Sequence, residues 1–347
     1  MEESIKALVK ELFENPIDPN ELRRRWSIDA PWQSTGVLEP LNIITGKLMY
    51  RQAMYRESRF YGFKLRHHYI DGFNMHWLCN EKPKKSRGTL LLLHGLSAEK
   101  SHWIRFARYF IKDYHVIIPD LAAHGQTGYR PDGNYSTHAQ ASRIIELLNH
   151  LQVDQVHVLG NSMGGFISAR LATGWPERIV SLGLMDAAGL QARTYSALVE
   201  SIEAGRNPFL LHSLAEFDHL MSLAAHKQQW MPSQVRLMLA KQYSDRRERL
   251  FNVFLQVQNE IYPHDWITEQ LPSINMPTLV LWGELDKLLD VDMLAHFKEL
   301  IPHAKTVNMS KTGHMPMMER PLATARHYRE FLKKISVVGT GFQQKAS

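Results

Sequence analysis

The 347-residue sequence contains one cysteine, Cys79. A single thiol excludes an internal disulfide framework and fits a reducing compartment. No Cys/His spacing resembles a zinc site, so no metal and no cofactor is expected. No stretch approaches ~20 uninterrupted apolar residues, which argues against a membrane-spanning helix. The first residues are acidic at Glu2 and Glu3 and lack a long apolar core, unlike a secretory signal. There are no internal repeats and no low-complexity tract. Charge is nearly balanced, with 41 Lys and Arg against 35 Asp and Glu, a net +6. Basic residues gather at Arg23-Arg24-Arg25 and at Lys82, Lys84, Lys85 and Arg87. Neither group is interleaved with aromatics, so both read as solvated faces and nucleic acid is not expected as a partner. These exclusions leave a cytoplasmic protein with room for one large core and an insertion.

Residues 1–14 place Ile5, Leu8, Val9, Leu12 and Phe13 at helical spacing. Such a segment packs on the body of the protein or lies on a membrane surface, which leaves peripheral membrane contact open. Asn15-Pro16 and Asp18-Pro19 end it. Residues 20–59 read as irregular structure with a helix near Gly46–Arg59, and no chemistry is visible there. His68–Ile70 and Phe73–Cys79 flank Asp71-Gly72, a hairpin signal. Then apolar strands alternate with helices. Strands are expected at Thr89–Leu93, His115–Pro119, Gln155–Leu159 and Ile179–Met185. Helices are expected near Trp103–Ile111, near His138–His150 and to Thr173. This order describes an α/β fold with a doubly wound, mostly parallel sheet. Over residues 187–271 the alternation lapses into helical periodicity rich in Met, Leu and Phe. It resumes with strands Met276–Trp282 and Thr306–Met309 and helices Met293–Leu300 and Leu322–Ile335. A helical cap inserted after the sixth main strand is the expected arrangement.

Gly160-Asn161-Ser162-Met163-Gly164 follows the apolar run ending at Leu159 and precedes a helical segment. In that context G-x-S-x-G marks a nucleophile elbow, with Ser162 on a strained turn. A serine hydroxyl needs a base, and the base needs an acid to fix its tautomer. On such an elbow the acid and then the base come from later strand ends. His314, in Gly313-His314-Met315-Pro316, follows the last strand and is the expected base. Asp286, just past Thr278–Leu281, is the expected acid. Asp186, which ends the preceding strand, is its rival, while Asp290 and Asp292 lie further from a strand end. The expected oxyanion donors are the backbone N–H groups of Met163 and Leu96. His94 reads as a brace for the Leu96 loop, and Asp120 as an anchor for the loop before Gly125.

Taken together, H-G-L-S-A-E-K-S-H-W (94–103), P-D-L-A-A-H-G (119–125), G-N-S-M-G-G (160–165), D-A-A-G-L (186–190), W-G-E-L-D (282–286) and G-H-M-P-M-M-E (313–319) resemble the bacterial lipase/esterase group of the α/β-hydrolase superfamily. The membrane-associated monoacylglycerol lipases are similar across the same blocks. The resemblance covers about residues 60–335. It implies the α/β-hydrolase fold, Ser162, His314 and Asp286 as the triad, and Leu96 and Met163 as oxyanion donors. Two departures stand out: Ala122-Ala123-His124 replaces a glycine-containing turn, and the first sixty residues match neither a signal nor a membrane anchor of the group. The expected organisation is an N-terminal extension at 1–59, a core at 60–186 and 272–335, a cap at 187–271 and a tail at 336–347. The expected activity is serine-dependent hydrolysis of carboxylic esters with apolar acyl chains, the partner being a small ester or lipid. Cap residues Phe209, Leu210, Leu211, Phe217, Leu220, Met221, Trp230, Met231, Met238, Phe251 and Phe254 are the expected acyl pocket. The alternatives are carbon–carbon hydrolysis of ring-cleavage products, whose group usually carries a glycine-rich oxyanion loop that this sequence lacks, and a non-catalytic binding protein.

Overall fold

Continuous apolar strands bury both their faces, and the computed structural model follows that rule. It describes residues 18–191, 196–261 and 266–343; the amphipathic segment expected at 1–14 lies outside them. Eight strands form one sheet: β1 (Lys64–Ile70), β2 (Phe73–Cys79), β3 (Thr89–Leu93), β4 (His115–Pro119), β5 (Val156–Asn161), β6 (Ile179–Met185), β7 (Thr278–Gly283) and β8 (Lys305–Met309). Their order is β1-β2-β4-β3-β5-β6-β7-β8. β2 pairs antiparallel with β1 and β4, and the remaining pairs are parallel. Asp71 and Gly72 both take positive φ, 44° and 77°, the backbone that a two-residue hairpin turn requires.

The period of two along each strand divides the interior into two layers. Leu91, Leu93, Val158, Leu182, Val280 and Trp282 point into one apolar layer. Leu90, Leu92, Leu159, Met185, Leu279 and Leu281 point into the other. α4 (Thr137–His150), α5 (Met163–Gly174) and α11 (Met293–Leu300) cover the first face. The second is covered by the segment around α3 (Ile104–Ala107) and by α13 (Pro321–Gln343). The helix expected over Trp103–Ile111 is shorter than its apolar spacing suggests. Trp103, Phe106 and Phe110 are buried together, but Tyr109 and Phe110 donate to carbonyls three residues back, a tighter winding. α13 runs past the end expected at Ile335, to Gln343.

Between β6 and β7 the described residues form helices only: α6 (Ala197–Glu203), α7 (Leu214–Ala224), α8 (Ser233–Asp245), α9 (Arg247–Gln258) and α10 (Trp266–Gln270). Residues before the sheet join them. α1 (Pro19–Arg25) and the turn after it add Leu22, Trp26 and Ile28 to a cluster with Leu198, Ile202, Leu210, Leu250, Phe251 and Phe254. α2 (Glu39–Phe60), longer than the expected 46–59, packs on α8. α12 (Pro316–Glu319) is a single turn after the last strand.

Candidate active site

The elbow is built by exclusion of volume. Ser162 sits at φ 55° and ψ −124°, a backbone that side-chain-bearing residues rarely adopt. A Cβ on Gly160 would come 2.0 Å from the carbonyl oxygen of Gly164, and one on Gly164 would come 2.3 Å from that of Leu93. Both contacts are with backbone, which cannot swing aside. Gly160→Ala is therefore expected to cost about 3 kcal/mol or more of stability, because the added methyl meets the main chain of Gly164. Urea melts of the purified variant check this; a midpoint unchanged from wild type would contradict it.

Three loops at the carboxyl ends of the strands meet around Ser162. Gly95 lies against it: a Cβ there would stand 2.9 Å from the Ser162 Cβ. The next residue is Leu96, and neither its N–H nor that of Met163 donates to a protein acceptor among the described residues. Met163 opens α5, where the first N–H groups are unsatisfied by the helix itself. Asn161 Nδ2 donates to the carbonyl of His314 at 2.9 Å, tying the elbow strand to the loop after β8. The buried His314 Nδ1 donates to Asp286 Oδ2 at 2.6 Å. Asp286 Oδ1 accepts the backbone N–H groups of Leu288 and Leu289, at 2.8 and 3.1 Å. That fixes the carboxylate and leaves the other imidazole nitrogen, Nε2, free of it. Among the described residues no hydrogen bond joins the Ser162 hydroxyl to Nε2. The structure thus pairs His314 with Asp286 directly, and ties the strand that carries Ser162 to the His314 loop through Asn161.

Asp186, weighed above against Asp286, lies behind the pair. One ligand atom from each of Asp186, Asp286 and His314 falls within 4.8 Å of the others. Asp186 is fully buried, and its Oδ1 accepts the N–H of Gly283 at 2.8 Å. Burial, and after it the charge of Asp286, hold its carboxyl well above the usual carboxylate range. Its other oxygen, Oδ2, is buried with no hydrogen-bond partner, so a charge there is poorly supported.

His94 and Asp120 occupy the bracing positions expected for them. Leu121 N–H donates to His94 Nε2 at 3.1 Å, which makes Nδ1 the protonated nitrogen that donates to Gly95 carbonyl oxygen at 2.9 Å. Asp120 accepts from the backbone N–H groups of Lys100 and Gln126, both at 2.8 Å. Where a glycine-containing turn was missing, Ala123 itself takes the left-handed backbone, at φ 68°. A residue that the sequence did not point to is Glu319. Its Oε1 accepts from Gly313 N at 3.0 Å, and its Oε2 from His226 N at 2.9 Å. One carboxylate thereby joins the His314 loop to the inserted helices.

Three buried imidazoles give the fold an acid limit. Burial pushes His94 and His124 down to about 3 and His157 to about 4. The unfolded chain therefore binds more protons than the folded one from about pH 6.5 down to those values, and stability falls with pH across that window. Each imidazole costs up to about 1.4 kcal/mol per pH unit there. Thermal melts at pH 7.5 and 5.5 are expected to show a lower Tm at the acid value; an equal or higher Tm would contradict it.

The cap residues named from the sequence divide. Leu210, Leu211, Phe217, Leu220, Met238, Phe251 and Phe254 are buried between helices. Trp230 is 88% exposed, because it lies on a surface loop before α8. The inserted helices and α1 form one apolar cluster that also holds Leu288, with Leu96 and Met315 packed against it. Leu96, Leu288 and Met315 stand on the three loops just described.

This arrangement of sheet, elbow and loops has known counterparts. Residues 88–321 match the family described as the alpha/beta hydrolase fold. The chain belongs to the α/β-hydrolase family. Lipase 1 of Psychrobacter immobilis is 32% identical over 246 residues, covering 70% of this chain and 76% of that lipase. Monoacylglycerol lipase ABHD6 of Mus musculus is 25% identical over 283 residues, covering 79% and 84%. Among solved structures, a membrane phospholipase A superimposes with a TM-score of 0.79 at 31% identity, over 84% of this α/β hydrolase and 93% of that chain. Among its own described residues, this α/β hydrolase has no helix long and apolar enough to cross a membrane.

Proposed function

We propose that this ester hydrolase cleaves carboxylic esters of apolar acyl chains through Ser162, His314 and Asp286. Ser162 Oγ attacks the ester carbonyl while His314 Nε2 takes its proton. Asp286 keeps the imidazole in the required tautomer and stabilises its charged form. The backbone N–H groups of Leu96 and Met163 receive the oxyanion, each worth about 10²–10³ in rate. The alcohol leaves with the proton from His314. Water, losing a proton to the same imidazole, then releases the acid and frees Ser162. One observation carries this reading: the His314–Asp286 hydrogen bond of 2.6 Å, on a loop that Asn161 ties to the strained elbow of Ser162. The apolar cluster that meets Leu96, Leu288 and Met315 supports an acyl chain of medium length as the substrate's distinguishing part.

A chain-length series of p-nitrophenyl esters and monoacylglycerols tests the substrate class. Catalytic efficiency is expected to rise from acetyl to medium-chain esters. A steady fall with chain length would contradict an apolar acyl site. Turnover of a ring-cleavage product with no turnover of any ester would replace ester hydrolysis by carbon–carbon hydrolysis.

A further inference from the structure

α2 is packed with its polarity reversed. A surface helix normally turns its apolar stripe to the core. Here Leu41, Ile44, Leu48 and Tyr55 share one face, at helical spacing, and are 62%, 58%, 58% and 66% exposed. Val37, Leu38 and Phe60 extend that exposure to both ends. The body-facing side is held by polar groups. Glu39 Oε1 accepts from Trp32 Nε1 at 3.0 Å, and Tyr50 donates to Glu99 at 2.7 Å. Glu57 accepts from Arg105 at 2.7 Å. The outward stripe is therefore not a by-product of packing, since the inner face is fixed without it. The helix is about 33 Å long at 1.5 Å per residue. Its middle is tied to the loop that carries Leu96: Tyr50 holds Glu99, three residues beyond Leu96.

The charges around the stripe choose its partner. Lys47, Arg51, Arg56 and Arg59 are exposed on the same helix, and among the described residues no acid pairs with them. Its two acids, Glu39 and Glu57, are engaged on the inner side. Two copies meeting through this face would set these cations against their equivalents, which opposes a symmetric dimer. A lipid bilayer with anionic headgroups accepts both parts: the stripe at the acyl boundary and the cations at the headgroups. We propose that the outer face of α2 is the surface on which this protein lies on an anionic bilayer. The reading stands on α2 alone and does not depend on the triad.

Vesicle flotation with the full chain carrying Ser162→Ala tests it, so that hydrolysis does not alter the lipid. The vesicles are phosphatidylcholine alone, or phosphatidylcholine and phosphatidylglycerol in equal parts. Stronger binding to the anionic vesicles, weakened by salt, is expected. Leu41→Asn, Ile44→Asn and Leu48→Asn together are expected to reduce that binding about 10²-fold. Lys47→Ala with Arg51→Ala is expected to reduce it about tenfold or more. In the otherwise wild-type enzyme, with Ser162 intact, these exposed substitutions should leave hydrolysis of a soluble short ester unchanged. Binding that ignores headgroup charge, or survives the triple substitution, would overturn the proposal. So would loss of binding on removal of residues 1–17 with no effect of the α2 substitutions. A dimer in gel filtration that the triple substitution splits would make the face a contact between copies instead.

Discussion

Ser162→Ala is expected to lower kcat by about 10⁴–10⁶ against p-nitrophenyl esters. The size follows from what remains when the hydroxyl goes. The variant keeps the N–H groups of Leu96 and Met163 and the His314–Asp286 pair, so it can still bind an ester and polarise it. It cannot form an acyl-enzyme, and water must attack unaided by a positioned nucleophile. Alanine removes one oxygen from a residue whose backbone is fixed by Gly160 and Gly164, so the fold is expected to survive. Ser162 N–H still donates to Met185 carbonyl oxygen at 3.0 Å in either residue. Steady-state assays beside a thermal melt separate lost chemistry from lost structure. Activity within tenfold of wild type would refute Ser162 as nucleophile.

The second large effect discriminates between two carboxyls that the sequence alone left as rivals. Asp286→Asn is expected to cost about 10⁴ in kcat, because the amide presents an N–H where His314 Nδ1 needs an acceptor and so favours the wrong tautomer. Asp186→Asn is expected to cost less than about tenfold, the scale of one adjusted hydrogen bond. An amide at 186 keeps two polar atoms and carries no charge, which burial favours: its oxygen accepts from Gly283 N–H and its nitrogen takes the place of Oδ2. Asp186→Ala lacks both groups and should fall between the two. Measured kcat values for the three variants check the order. If Asp186→Asn is the crippled enzyme and Asp286→Asn is not, the roles are exchanged.

What was legible in the sequence follows the physics of each element. β3 and β4 were read to the residue because an uninterrupted apolar run leaves little choice for a strand buried on both faces. The elbow was legible because only glycine fits where Gly160 and Gly164 touch backbone. His314 and Asp286 were legible as residues just past strand ends. Other features were hidden because periodicity shows which residues share a face, not where that face points. The spacing of Leu41, Ile44 and Leu48 reads equally well as an inner stripe. Only the contacts of Glu39, Tyr50 and Glu57 reveal the inversion. Glu319 was hidden for a different reason: its partners, Gly313 and His226, come together through tertiary packing that no local pattern encodes. Asp186 was visible as a strand-end acid, but the burial that holds its carboxyl above the usual range comes from tertiary packing.

Covalent capture of the acyl group tests the central claim most directly. The enzyme is mixed with a medium-chain p-nitrophenyl ester, quenched in acid within the first turnovers, digested and weighed by mass spectrometry. The acyl mass is expected on the peptide containing Ser162, with a matching burst of p-nitrophenol, and on no peptide of the Ser162→Ala variant. Ester turnover with no acylated peptide under single-turnover sampling, or an acyl group carried by a different residue, would contradict the account.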